Sequence, residues 1–497
     1  MGTAGTAMPR NRFTLLVLSI SLAAFMTALD GTIVNIALPT ISEAFDVSTS
    51  TVSWVSTIYL LVISGCILIF GKISDGIGFR KVFLWGFLLF SVGSLFCGLL
   101  PEMLGSFPIL IGSRAFQAVG AAMIAAIGPA MVTAYFPMAQ KGKAMGIVLT
   151  FSSLGTIVGP AIGGVLCQYL SWNWIFFINI PVGIVAILIG AKVIPKNGVV
   201  KRSGGFDRAG AALIFVGLAS LLFALSEGQA LGWTTPAIIV AFALAILTLG
   251  GFVYCELRAP VPLLELRLFT RKNFLMTNLI IALIFFCYGG LNYLLPFYLE
   301  YVHHVLPSSA GLILASLSVA GGIAGILAGV LYNRTGGRLL CIFAGISIAA
   351  GFLIIVIIRN PADTSTGFVV ACLLLFGFGM GLMLTPVSNM IMNSVARSYQ
   401  GMVSGLIIVE RFAPMSMGIA LFNLVFIQGA ITVANHDEIT STAPVNIRTE
   451  ALMAGFDLAF IFAFLVGIII LVLAIVARQE THPDYQQGAD EQLTSPA

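Results

Sequence analysis

Residues 13–39 read FTLLVLSISLAAFMTALDGTIVNIALP, an apolar run broken by a single charge, Asp30. A bilayer core about 30 Å thick requires about 20 apolar residues for a helix to cross it, and this run is longer than that. It passes through Asp30 to Pro39 without the small-residue cleavage site of a signal peptide, so it reads as an uncleaved first membrane helix. Further stretches of the same kind follow at about 51–70, 81–100, 107–134, 142–167, 173–193, 209–226, 236–255, 274–299, 309–331, 339–358, 367–392, 401–430 and 452–477, which makes fourteen. The chain therefore reads as an all-α polytopic membrane protein with 14 transmembrane helices. Composition agrees: 59% of residues are hydrophobic and 9% charged, against about 25% charged in an ordinary soluble domain. So little charge cannot cover a globular surface, which excludes a soluble enzyme and a disordered chain.

Orientation follows from the basic residues. With the N-terminus in the cytoplasm, 20 of the 24 Lys and Arg fall in cytoplasmic segments, and one helix gained or lost early would scramble that sorting. Both termini are thus expected in the cytoplasm. A net charge of +4 is too small and too scattered to suggest nucleic acid. The seven cysteines stand singly in apolar stretches, without metal-ligand spacing, and read as packing residues. The expected division is an N-terminal six-helix bundle over 1–200, two linker helices and a cytoplasmic connector over 201–272, a C-terminal six-helix bundle over 273–478, and a polar tail over 479–497.

The two bundles echo each other. GKISDGIGFRK over 71–81 aligns with GVLYNRTGGR over 329–338, pairing Gly71, Asp75, Gly78 and Arg80 with Gly329, Asn333, Gly336 and Arg338 at an offset of 258. An offset of 259 then pairs Gly120 with Gly379, Gly142 with Gly401, and Gly146 with Gly405. Duplicated halves of this kind hold a substrate near the bilayer midplane and rock around it.

Several motifs carry a family resemblance: LDGTIVNIALP at 29–39, the segment 71–81, Arg114 with Gln117 and Gly120, GTIVGPAIGG at 155–164, and WNWIFFINIP at 172–181. In these the chain resembles the major facilitator superfamily and, within it, the fourteen-helix drug:proton antiporters. The resemblance is sharpest over 13–183. The family often has a basic residue where Gly76 stands and a glycine where Ala118 stands. What the resemblance implies is a 6+2+6 arrangement in the cell (plasma or inner) membrane, and multidrug efflux by a proton-coupled antiporter that works as a monomer.

Asp30 is the sharpest single residue. An ionised carboxylate at a helix centre costs about 2.5–3.5 kcal/mol on insertion scales, so it persists only if paired, solvated by a cavity, or protonated. It lies roughly 12 Å below the outer end of its helix, and Arg114 roughly 10 Å below the outer end of helix 4. The shared level leaves two readings open: a proton- and substrate-binding acid, or a structural ion pair with Arg114. Glu410 is a second candidate for proton or cation binding, roughly 14 Å into helix 13. Beside it, Arg411 points about 100° away along the helix. If two acids and two bases in the membrane cancel, a neutral or anionic substrate becomes the better reading. Asp457 stands close to an outer helix end and can snorkel.

Gly155, Gly159, Pro160, Gly163 and Gly164 strip side chains from helix 5, giving either a sealed pivoting interface or ordinary small-residue packing. Gly71, Asp75, Gly78 and Arg80 read as a tight basic loop that gates the halves, or as a positive-inside anchor. Tyr59, Tyr288 and Tyr293 offer faces to a lipophilic cation, and Gln117, Asn292, Asn389 and Asn393 can orient it or join helices. His303 and His304 fall in an outer loop, where no metal is expected.

No nucleophile elbow, HExxH, P-loop or clustered carboxylate pair is present, which argues against an enzyme. Without a nucleotide-binding motif or cofactor, energy must come from an ion gradient. The expected partners are a small-molecule substrate, a lipophilic cation, together with a proton and the lipid bilayer. The alternative is a facilitator of a defined metabolite (a sugar, amino acid, lipid or antibiotic) by symport or antiport.

Overall fold

A computed structural model of the chain describes residues 10–195, 208–259, 264–357, 366–396, 399–434, 445–480 and 483. Among these residues there is no β-strand. Fourteen helices are long and apolar enough to cross a membrane, from Phe13–Phe45 to Glu450–Val476, and they correspond one to one with the fourteen stretches read from the sequence. Most extend past their apolar runs, because a helix keeps its backbone hydrogen-bonded beyond the hydrocarbon edge.

The first helices are α1 (Arg10–Phe45), α2 (Thr49–Ile77), α3 (Phe79–Leu104), α4 (Phe107–Tyr135) and α5 (Met138–Tyr169). The sixth span is broken at Ile178 into α6 (Trp174–Phe177) and α7 (Asn179–Val193). There follow α8 (Arg208–Leu231), α9 (Pro236–Arg258), α10 (Lys272–Phe297), which runs into a π-helical turn Tyr298–Val302, and α11 (Pro307–Thr335). The chain of helices ends with α12 (Gly337–Ile357), α13 (Thr366–Asn393), α14 (Gln400–Ala434) and α15 (Val445–Val476).

The helices gather into two compact units. The first comprises Met1–Phe252 with His304–Ala315, and the second Val253–His303 with Ser316–Ala497. In the first unit α1 packs on α5, α3 on α4, and α2 on α4 and α8. In the second, α10 packs on α14, α12 on α13, and α15 on α12 and α14. Helix α8 is fastened to α2: Trp54 Nε1 donates to Glu227 Oε1 at 2.6 Å, and Phe215 fills the notch at Gly65. Outward faces are apolar; Ile246 and Leu247 on α9 are each 72% exposed, as befits a helix in contact with lipid.

The repeat is a repeat of packing. A Cβ at Gly120 would run into Gly86 and Phe90 on α3, and a Cβ at Gly379 would run into Ala344 and Ile348 on α12. Gly86 and Ala344 are 258 residues apart, as are Phe90 and Ile348. Small residues thus hold α4 against α3 and α13 against α12 in the same way.

Candidate functional site

Asp30 on α1 is fully buried, and its carboxylate accepts three hydrogen bonds. Arg114 Nη1 donates to Oδ2 at 2.8 Å, while Gln117 Nε2 at 3.0 Å and Asn179 Nδ2 at 2.8 Å both donate to Oδ1. Arg114, 1% exposed, also donates from Nη1 to Gln117 Oε1 at 2.6 Å and from Nε to the Val55 carbonyl at 3.1 Å. Gln117 Nε2 completes its pair of bonds on Ser94 Oγ at 2.7 Å, and its Oε1 accepts from the Cys97 thiol at 3.6 Å. The guanidinium lies 4.0 Å from the Tyr59 ring centre and 5.5 Å from that of Phe176. A buried ion pair is sustained only when geometry is good and the remaining donors and acceptors are met, which is the arrangement here. In this conformation Asp30 is held in an ion pair with Arg114, and the Tyr59 ring lies under the guanidinium.

The local fold explains the convergence. Gly93 lets α3 approach α4 so closely that a Cβ there would lie 2.6 Å from Gln117 Cα. The break at Ile178 begins α7 at Asn179, whose amide reaches Asp30. Sequence reading did not single out Asn179, Ser94 or Phe176. Asn179 had a signal, an amide inside an apolar span, but nothing in the sequence gives its distance to α1.

The second acid is arranged differently. Glu410 on α14 is 9% exposed, and its Oε2 has no hydrogen-bond partner among the described residues. Arg411 is half-buried, its guanidinium 5.6 Å from the Phe285 ring centre and its Nε without an acceptor. Neither Glu410 nor Arg411 forms an ion pair among the described residues, in contrast to Asp30 and Arg114. Of the other candidate residues, Asn292 Nδ2 donates to the Tyr288 carbonyl of its own helix, α10, at 2.9 Å. Tyr293 donates its hydroxyl to Asn423 Oδ1 at 3.1 Å and ties α10 to α14. Tyr288 is buried, and Asn389 and Asn393 are half-buried on α13.

The helix 5 glycines lie along α1. A Cβ at Gly155 would strike the Phe25 carbonyl, at Gly159 the Thr32 hydroxyl, and at Gly163 the Ile36 side chain at 2.6 Å. Gly164 and Pro160 face the start of α11 within the first unit, against Pro307 and Gly311, and Ser308 N donates to Gln168 Oε1 at 3.2 Å.

The segment 71–81 is not a loop. Helix α2 continues to Ile77, only Gly78 leaves the helical conformation (φ +89°), and α3 starts at Phe79. The apolar run stops at residue 70 but helical hydrogen bonding does not, and a left-handed glycine makes the turn. Gly336 repeats this at φ +77° between α11 and α12. Arg80 donates to the Ala191 carbonyl at 2.7 Å in the last turn of α7, and Arg338 to the Ile475 carbonyl at 2.8 Å in the last turn of α15. Nothing crowds Gly71. The Asp75 and Asn333 side chains and most of the tail after residue 480 lie outside the described residues. Among the described residues no group of three or more His, Cys, Asp or Glu is placed to hold a metal.

Comparison with known proteins places this arrangement. The chain is 30% identical over 418 residues, 83% of its length and 88% of the relative's, to the Riboflavin transporter RibZ of Clostridioides difficile. It is 32% identical over 417 residues, 84% of its length and 76% of the relative's, to the Multidrug resistance protein Stp of Mycobacterium tuberculosis. Among solved structures it is similar to a bacterial homolog of the human lysosomal transporter Spinster in an inward-facing, unoccupied conformation, with a TM-score of 0.65 at 16% identity, covering 96% of this chain and all of that one. The Major Facilitator Superfamily model matches residues 20–419. Fourteen apolar helices, duplicated glycine packing and relatives of the multidrug type agree: the chain is a multi-pass membrane transporter, not an enzyme, and it belongs to the major facilitator superfamily.

Proposed function

We propose that this transporter is a proton-coupled antiporter that exports lipophilic, cationic compounds across the cell membrane by alternating access. The observation that carries the reading is the state of the two membrane acids. Asp30 already holds Arg114, Gln117 and Asn179, whereas Glu410 has an oxygen that nothing meets. A buried carboxylate without a partner must be neutralised by a proton or by a cation whenever water leaves it. Proton and cationic substrate therefore compete for Glu410, and competition for one group is what couples opposite fluxes. Asp30 and Arg114 hold α1, α4 and α7 in register while the exchange takes place. Sequence similarity to a protein named for multidrug resistance supports the cargo class. The sequence has no nucleotide-binding motif, which supports an ion gradient as the energy source. Both termini then face the cytoplasm, and a monomer suffices.

The test uses the full chain in proteoliposomes with an imposed pH gradient and a panel of cationic dyes. Glu410→Gln is expected to abolish gradient-driven movement while dye-for-dye exchange continues. Gradient-driven movement at the wild-type rate in that variant would sink the reading. A second reading, transport of one defined metabolite, is favoured by the similarity to a protein named as a riboflavin transporter. Under it, riboflavin competes with every dye in the panel and single-substrate kinetics replace breadth.

A further inference from the structure

Helix α14 sets an acid and a base side by side, and among the described residues neither forms an ion pair. Arginine remains charged at any physiological pH, and its planar fork is shaped for a carboxylate or another strong acceptor. Arg411 shows an unmet donor at Nε, and Glu410 an unmet acceptor at Oε2. Neighbours on a helix diverge by about 100°, so the two are poorly placed to satisfy each other, and each is left to a partner from outside α14. Phe285 under the guanidinium supplies an aromatic surface, and Tyr288, its ring centre 6.4 Å from that of Phe285, extends it along α10. A simple cation meeting Glu410 leaves Arg411 unsatisfied and is repelled by it, and a simple anion has the converse difficulty.

We propose that Glu410 and Arg411 form an amphoteric recognition site, and that the compounds it favours carry a cationic group and an anionic group on one planar aromatic frame. The proposal rests on the export reading above and narrows it from lipophilic cations to zwitterions.

Three xanthene dyes test it in proteoliposomes holding the full chain under an imposed pH gradient: tetramethylrhodamine (zwitterion), its methyl ester (cation) and fluorescein (anion). The free acid is expected to half-saturate transport at a concentration about tenfold or more below that of the ester, the discrimination a charge-assisted hydrogen bond supplies. Arg411→Gln is expected to bring the two dyes level. If that variant fails to reach the membrane, Arg411→Lys, which keeps the charge without the flat fork, should narrow the gap, and the wild-type ratio decides on its own. Gradient-driven transport in which the wild-type protein handles the ester as well as or better than the acid overturns the amphoteric site and leaves the export reading standing. Movement of all three dyes that ignores the gradient overturns both.

Discussion

Asp30 and Glu410 are both buried membrane carboxylates, one in each compact unit, and their surroundings are opposites. Asp30 accepts three hydrogen bonds and an arginine's charge; Glu410 keeps an oxygen with no donor. The duplicated glycine packing lies beside them: Gly120 closes α4 on α3 and Gly379 closes α13 on α12, while Asp30 sits on α1 and Glu410 on α14. Carried across by the same offset of 259, Arg114 falls on Leu373 and Glu410 on Phe151, so each unit is apolar where the other is charged. The two units share the small residues that set helix spacing and differ in the polar ones. One unit came to hold a closed network, and the other an open pair of charges.

That contrast can be broken experimentally. The largest effect is expected from Asp30→Asn, which strands Arg114 as an uncompensated buried charge. Breaking a buried pair in this way is worth about 3–5 kcal/mol, read as a fall in thermal unfolding temperature in detergent. Adding Arg114→Leu should recover much of that loss, since it removes the uncompensated buried charge. Glu410→Gln, by contrast, should leave the unfolding temperature close to wild type while transport coupling is lost; a fall matching that of Asp30→Asn would erase the contrast.

Next in size come Gly120→Leu and Gly379→Leu, each forcing a side chain into a facing helix. Overpacking of this kind costs about 1–3 kcal/mol or more, and equal losses at the two sites would show that the duplicated scaffold is also energetically duplicated. Tyr293→Phe removes the hydroxyl that joins α10 to Asn423, and a loss of about 1 kcal/mol in urea or thermal unfolding is expected. The smallest effect is expected from Arg80→Gln. A cation on the final carbonyls of a helix is worth about 0.3–1 kcal/mol, and the exposed Arg338 should matter less than Arg80.

Much of the architecture was legible before any coordinates. Apolar length alone gives fourteen spans, because the bilayer permits almost nothing else. The pairing of Asp30 with Arg114 was within reach of helix-rise arithmetic, since depth depends only on residue count. What that arithmetic could not supply was azimuth. Whether Asn179 or Ser94 turns toward Asp30 depends on how α3 and α7 are rotated; Pro181, which cannot donate to the Phe177 carbonyl, marks the interruption that precedes α7 but gives no rotation. Reading 71–81 as a loop failed for a related reason: hydrophobicity marks where lipid ends, at residue 70, and the helix ends seven residues later, at Ile77.

The bond between Trp54 and Glu227, with Phe215 seated in the Gly65 notch, has a bearing on how oily molecules reach this protein. It plasters α8 over one flank of α2, so a compound dissolved among the acyl chains meets a wall there instead of a doorway.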